Sequence, residues 1–141
     1  MLIHAQPDLV SKHWDFLAPH IARALPEHVR EEQGMAAVLR SILLERLHVW
    51  AYDKDDKIIF LGTTTFTMDP ITRDKWLLIY SISAIEDIQK DMLVDSYETI
   101  YKFAKKHGAV AIRAYSNVPG IIKWAKTAGA RTDMTLLEFP I

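Results

Sequence analysis

The sequence predicts an α/β fold in which a mixed β-sheet is flanked by helices on both faces. Three observations predict it. Two helix-period segments open the chain, three strand-period runs separated by tight turns follow, and two helices then alternate with two further strands. The expected order is α-α-β-β-β-α-β-α-β, in a single domain spanning residues 1–141.

Val10, Trp14, Leu17, Ile21 and Leu25 recur every three to four residues, the spacing that keeps one helix face apolar. Pro7-Asp8 suits a first turn, and Pro26 marks the end of the helix or a kink. Met35, Val38, Leu39, Ile42 and Leu43 repeat the pattern in a second helix that ends near Arg46. The period then changes. LHVWAYD and KIIFLGTTTFTM, rich in β-branched and aromatic residues, flank the turn KDDK. DPITRDK makes a second turn before the apolar run KWLLIYSIS, so these three strands form an antiparallel meander.

Ile88, Met92, Ser96, Ile100 and Phe103 trace the face of a longer helix, which His107-Gly108 stops with a basic last turn and a glycine. AVAIRAYS is the next strand, VPGIIKWAKTAGA a short helix closing on Gly129, and RTDMTLLEF the final strand. As an edge strand, RTDMTLLEF is able to pair with another copy of the chain. Trp14, Trp50 and Trp76 fall at apolar-periodic positions and are assigned to the core.

Half of the residues are apolar and a quarter are charged, the balance of a soluble globular domain. No apolar run approaches the roughly 18 residues needed to span a bilayer, so no membrane partner is expected. The opening MLIHAQPDLV lacks the basic region and apolar stretch of a secretory signal. There is no cysteine, which excludes disulfides, thiolate catalysis and cysteine-ligated metal sites. A cytoplasmic protein is expected.

The net charge of −1 conceals an asymmetry. Residues 1–100 hold ten Lys and Arg against sixteen Asp and Glu, and residues 101–141 hold seven against two. Lys102, Lys105, Lys106, Lys123 and Lys126 read as the solvated faces of two helices, which argues against nucleic acid as a partner. Six histidines raise the question of a metal. His13 and His20 share a helix face, but no pair has the i,i+4 spacing of a ligand set, and His28 with Glu31 and Glu32 reads as a polar turn. No metal site is expected. Ser81 and Ser83 lie in no Gly-x-Ser-x-Gly elbow and read as a polar strand edge.

Three phrases carry a resemblance: AYDKDDKIIFLGTTTF, KFAKKHGA and SNVPGIIKWAKTAGAR. In this order and spacing they resemble the GNAT superfamily of N-acetyltransferases over roughly residues 45–138. The resemblance implies acetyl-CoA, held by a loop of the form Arg/Gln-x-x-Gly-x-Gly/Ala where a strand meets the central helix. Glycines there let the backbone approach a pyrophosphate, and the helix N-terminus offers unpaired N–H groups. Counting back from Ala104 places that loop on Ile88, Gln89, Lys90, Asp91, Met92 and Leu93, with Asp91 and Leu93 at the glycine positions. Gln89 and Lys90 lie close to the family's polar position.

This loop departs from the family pattern. A leucine side chain occupies space a pyrophosphate needs, and Asp91, with Glu86 and Asp87 nearby, is a like charge. Acids in a first turn instead complement the helix dipole. The family's general-acid tyrosine is replaced by Trp124, whose indole N–H is not a practical proton donor. Tyr115, on the preceding strand, is the substitute, and Asn117 matches the family's Asn after that strand. Asn117 and KTAGA at 126–130 also resemble small GNAT-like proteins of tailed bacteriophages, some of them internal virion proteins.

The expectation is therefore a GNAT-like module that has lost acetyl-CoA binding and acetyl transfer. It would need no cofactor and would bind protein partners, virion proteins under the phage likeness. The alternative is an active, divergent acetyl-CoA-dependent N-acyltransferase. That enzyme would use the N–H groups of residues 88–93, the charge of Lys90, and a water or Tyr115 for the proton.

Overall fold

The structure, a computed structural model, describes residues 1–25 and 32–141, without the side chains of Glu32 and Gln33. The helix end expected at Pro26, and His28 and Glu31 of the expected polar turn, lie outside what is described, and Glu32 opens a helix. Five strands form one sheet in sequential order. They are β1 (Leu2–Ala5), β2 (His48–Lys54), β3 (Lys57–Met68), β4 (Lys75–Ala84) and β5 (Ala111–Ala114). The first four are antiparallel, and β5 joins β4 in parallel, so the sheet is mixed as the sequence predicts.

Local chemistry sets the turns. Asp55 and Asp56 both take positive φ, 53° and 60°, which is the twist a two-residue hairpin between β2 and β3 requires. Asp69 closes the next turn, its Oδ1 accepting from the N–H groups of Ile71 and Thr72 at 2.8 and 2.9 Å.

Among the described residues five helices accompany the sheet: α1 (Pro7–Lys12), α2 (Trp14–Arg23), α3 (Glu32–Leu43), α4 (Lys90–Lys106) and α5 (Pro119–Thr127). The single helix expected over Val10–Leu25 is broken at His13, where the backbone leaves helical geometry (φ −109°, ψ 22°). Its apolar stripe survives the break, and Val10, Leu17, Ile21 and Leu25 are all buried.

The sheet separates two cores. On one face, α1, α2 and α3 pack Val10, Leu17, Ile21 and Ile42 against Val49 and Leu61. On the other, α4 packs Met92, Ile100 and Ala104 against Trp50, Phe60 and Leu77. The α4 residues recur every four, so one stripe of the helix faces the sheet. Trp50 is buried, as expected, and Trp14 is partly buried against the α1–α3 core. Trp76 is only partly buried and carries the Arg113 guanidinium over its ring at 4.0 Å.

Two elements differ from expectation. β1 is an additional strand whose four residues pair with Val49–Tyr52. The final strand expected at RTDMTLLEF does not form, and residues 130–141 lie outside every helix and strand. A strand exists only where its backbone groups find a ladder, and this segment has joined none.

Candidate functional site

The site begins with a defect in β4. Its register against β3 runs Thr63 to Ser81 and then Thr64 to Ile79, leaving Tyr80 as an extra residue. β5 pairs with β4 only from Trp76 to Ile79. The parallel neighbour is therefore lost at the level of the bulge. From Tyr80 to Ala84, β4 has no strand partner on its β5 side among the described residues.

That open half leads to the start of α4. Gln89 is the N-cap, in extended geometry (φ −84°, ψ 155°), and its side chain makes no capping bond. The N–H groups of Met92 and Leu93 already reach the Gln89 carbonyl, at 3.1 and 3.4 Å. Those of Lys90 and Asp91, at the first two helical positions, have no intrahelical acceptor and point toward the helix entrance.

A cavity of about 320 Å³ lies between this helix start and α5. Ile88, Lys90 and Leu93 form one wall, and Gly120, Lys123, Trp124 and Thr127 form the other. Gly120, Lys123, Trp124 and Thr127 follow helical spacing and form one stripe of α5, Lys90 and Leu93 are three apart on α4, and Ile88 precedes its cap. A Cβ at Gly120 would meet nothing within 4 Å, which leaves that wall open. Trp124 is held by an edge-to-face contact with Tyr97, ring centroids 6.2 Å apart.

The residues expected at the loop are thus sorted by direction. Lys90 and Leu93 line the cavity, Met92 is buried in the α4 core, and Gln89 occupies the cap. Asp91, Glu86 and Asp87 are exposed, and none of them lines the cavity. The cavity lining thus includes Lys90 and Lys123 and no Asp or Glu. Leu93 serves as part of an apolar wall. Trp124 lines the cavity, whereas Asn117 and Tyr115 are exposed and lie outside its lining. Lys123, assigned by sequence to a solvated face, was the principal omission. The stripe Gly120, Lys123, Trp124, Thr127 was legible as such, but not its neighbour.

Ser81 and Ser83 are not a polar edge. Both are buried beneath α2, where Arg23 donates to the Ser83 Oγ (Nη2 at 3.0 Å) and to the Ala84 carbonyl. Ser81 Oγ and Thr63 Oγ1 are hydrogen-bonded. The pairing holds the open half of β4 against the helical layer on its far face.

At the other end of the α4 face stands a second polar group. The His4 ring stacks on Trp50 at 4.6 Å, and His48 lies edge-on to His4 at 5.6 Å and to Phe103 at 5.2 Å. His107 tilts against Phe103 at 4.3 Å. Thr64 Oγ1 accepts from the Trp50 indole at 2.9 Å and lies 3.0 Å from His48 Nδ1. Burial, then the neighbouring His4, pushes His48 down to about 4. Burial, then His107, also lowers His4. Both rings are therefore neutral near pH 7. Among the described residues, no three His, Asp or Glu side chains are placed to hold a metal ion, and no helix is long and apolar enough to cross a membrane.

No protein-family model and no curated protein matches the sequence. The likeness lies with solved structures. One is an aminoglycoside acetyltransferase from an uncultured soil metagenomic sample, 13% identical, with a TM-score of 0.74 over 100% of this chain and 97% of that one. Another is AAC(6')-Iy in complex with the bisubstrate analogue CoA-S-monomethyl-acetylneamine, at 10% identity, TM-score 0.75 and coverages of 100% and 97%. A third is a predicted acetyltransferase with acetyl-CoA from Clostridium acetobutylicum, at 14% identity, TM-score 0.71 and coverages of 99% and 95%. These findings overturn the expectation of a cofactor-free structural module or virion component and favour its alternative, since the shared architecture is that of acetyltransferases, two of them with a CoA ligand. The mixed sheet, its flanking helices and this likeness together give the chain the GNAT fold that its sequence resembles.

Proposed function

We propose that the protein is an active, divergent N-acyltransferase that takes its acyl group from acetyl-CoA. The observation that carries this reading is the cavity at the start of α4, with Lys90 and Lys123 on its walls and every nearby acid directed elsewhere. A pyrophosphate requires cations, free N–H donors and the absence of opposing carboxylates. The two lysines, the absence of acids from the lining and the adjacent start of α4 support this reading.

Lys90 and Lys123 would offset the phosphate charge, and the N–H groups of Lys90 and Asp91 would donate to phosphate oxygens. Ile88, Leu93 and Trp124 offer an apolar wall to the remainder of the molecule. The unpaired side of β4 from Tyr80 to Ala84 presents strand backbone to an extended ligand with amide groups. Acetyl-CoA, when bound, supplies a thioester carbonyl that a substrate amine can attack. The chain's part is to hold and orient, because neither Trp124 nor the lysines are suited to take the amine proton at neutral pH. Tyr115 is 67% exposed and outside the cavity, so water takes the proton in this reading.

Calorimetry with acetyl-CoA is the test. A dissociation constant in the micromolar range is expected, and absence of binding at millimolar acetyl-CoA would overturn the proposal. Turnover can be followed by thiol release with a panel of amines, since the chain has no cysteine to contribute background.

A further inference from the structure

The unpaired half of β4 is not open along its whole length. The Ile85 N–H donates to the Ile59 carbonyl at 2.8 Å, so these opposed residues are a hydrogen-bonded pair of the β3–β4 ladder. The alternation of an antiparallel ladder then turns the backbone groups of Ala84, opposite Phe60, away from β3. It turns those of Ile82, opposite Gly62, the same way. Both residues therefore present their N–H and C=O to the side that β5 leaves without a strand.

On that side the Ala84 carbonyl already has a donor. Arg23, in the last turn of α2, gives its Nη2 to this carbonyl, and its Nε and Nη2 reach the Ser83 Oγ at 3.3 and 3.0 Å. Ser83 is buried, and α2 is itself fixed through Leu17 and Ile21 in the core of the helical layer. One planar guanidinium thus runs from that layer to the outer edge of the strand, a span suited to its fork of fixed donors. A ligand following this edge meets the Ala84 carbonyl already engaged, whereas Ile82 offers both an N–H and a C=O.

We propose that Arg23 is a positioning residue for the extended arm of the cofactor, which it serves by fixing the end of β4 and leaving Ile82 to pair with the arm. This role rests on the acetyl-CoA reading of the cavity. A strand end bonded on one side only opens more readily than one bonded on both, and Arg23 supplies the missing bond on the outer side. The same clamp sets where α4 starts, because Lys90 follows Ala84 by six positions. Arg23 touches neither the cavity lining nor the reacting atoms, so it acts through Ser83 and Ala84.

Hydrogen exchange on Arg23→Gln tests the clamp without any ligand. The Ile85 and Glu86 amides, which donate to the Ile59 carbonyl at 2.8 and 2.9 Å, should exchange about tenfold faster, with the amides of β2 unchanged. Calorimetry should then show acetyl-CoA affinity lowered by about tenfold. Arg23→Lys keeps a cationic donor and should fall between that variant and the parent. Val10→Ala is the control for a purely structural effect. It empties a fully buried position in the same helical layer, so it should lower the melting temperature and keep the parent's affinity. Unchanged exchange at Ile85 and Glu86 would overturn the proposal whatever the ligand. Faster exchange with parental affinity, or an equal loss of affinity in Val10→Ala, would overturn it too. A parent chain that binds no acetyl-CoA overturns the acetyl-CoA reading together with the ligand role of Arg23, and the exchange result tells that failure apart from a failure of the clamp.

Discussion

Lys90, in the first turn of α4, and Lys123, in the second turn of α5, face one cavity from opposite walls. They are 33 positions apart in sequence yet form a single cationic site. Lys90→Ala and Lys123→Ala are each expected to weaken acetyl-CoA binding by about tenfold, corresponding to roughly 1.4 kcal/mol for one charge-assisted contact. Thermal stability should stay close to the parent value, because both side chains are exposed. Calorimetry at two salt concentrations checks this, with the parent's affinity falling more steeply with salt than either variant's.

Tyr115 provides a separate test of the chemistry. With its ring exposed and outside the cavity, Tyr115→Phe should keep kcat within about twofold of the parent. A loss of a hundredfold or more, the scale of a missing general acid, would return the proton to this residue.

The histidine group predicts an acid-side loss of stability. His48 is held near 4 in the folded protein, below the ordinary value of 6.5, so the unfolded chain binds the proton more readily. The stabilising contribution is fully present above about pH 6.5 and is lost as the pH falls from there toward 4. His4, lowered in the same direction, adds to it. Melting curves at pH 7.5, 6.0 and 5.0 should show a decline. His48→Gln, which can keep a polar partner for Thr64, should flatten it.

Leu77 is fully buried at the centre of the α4 core. Leu77→Ala is expected to cost about 2–5 kcal/mol through lost transfer energy and the cavity left behind. Urea unfolding should show a lower midpoint with an unchanged slope.

Much of the fold was legible because its signals are local. Met92, Ser96, Ile100 and Ala104 repeat at helical spacing, and β3 is a β-branched run bounded by turn residues, so both elements follow from pattern alone. β1 has only four residues and no period, and it becomes a strand by pairing with β2. The segment 131–139 shows the reverse case, an apolar pattern without a ladder.

At the junction of β4 and α4 the sequence shows which charges are present but not which of them line the cavity. Counting charges along Glu86, Asp87, Lys90 and Asp91 takes no account of direction. Successive helical residues diverge by about 100°, so Lys90 enters the cavity while its neighbour Asp91 does not. Lys123 became visible only once α5 lay beside α4, a relation no local window contains.

The extra residue at Tyr80 has a further effect on how β4 is used. Leu77 packs in the α4 core, while Ser83, of the same parity, is bonded to Arg23 of α2. The strand therefore carries two reading frames, one on each side of a single inserted position. The first frame anchors the sheet. The second, through Ser81 and Ser83, ties the open half of β4 to the opposite helical layer, so one strand is fastened into both layers of the molecule.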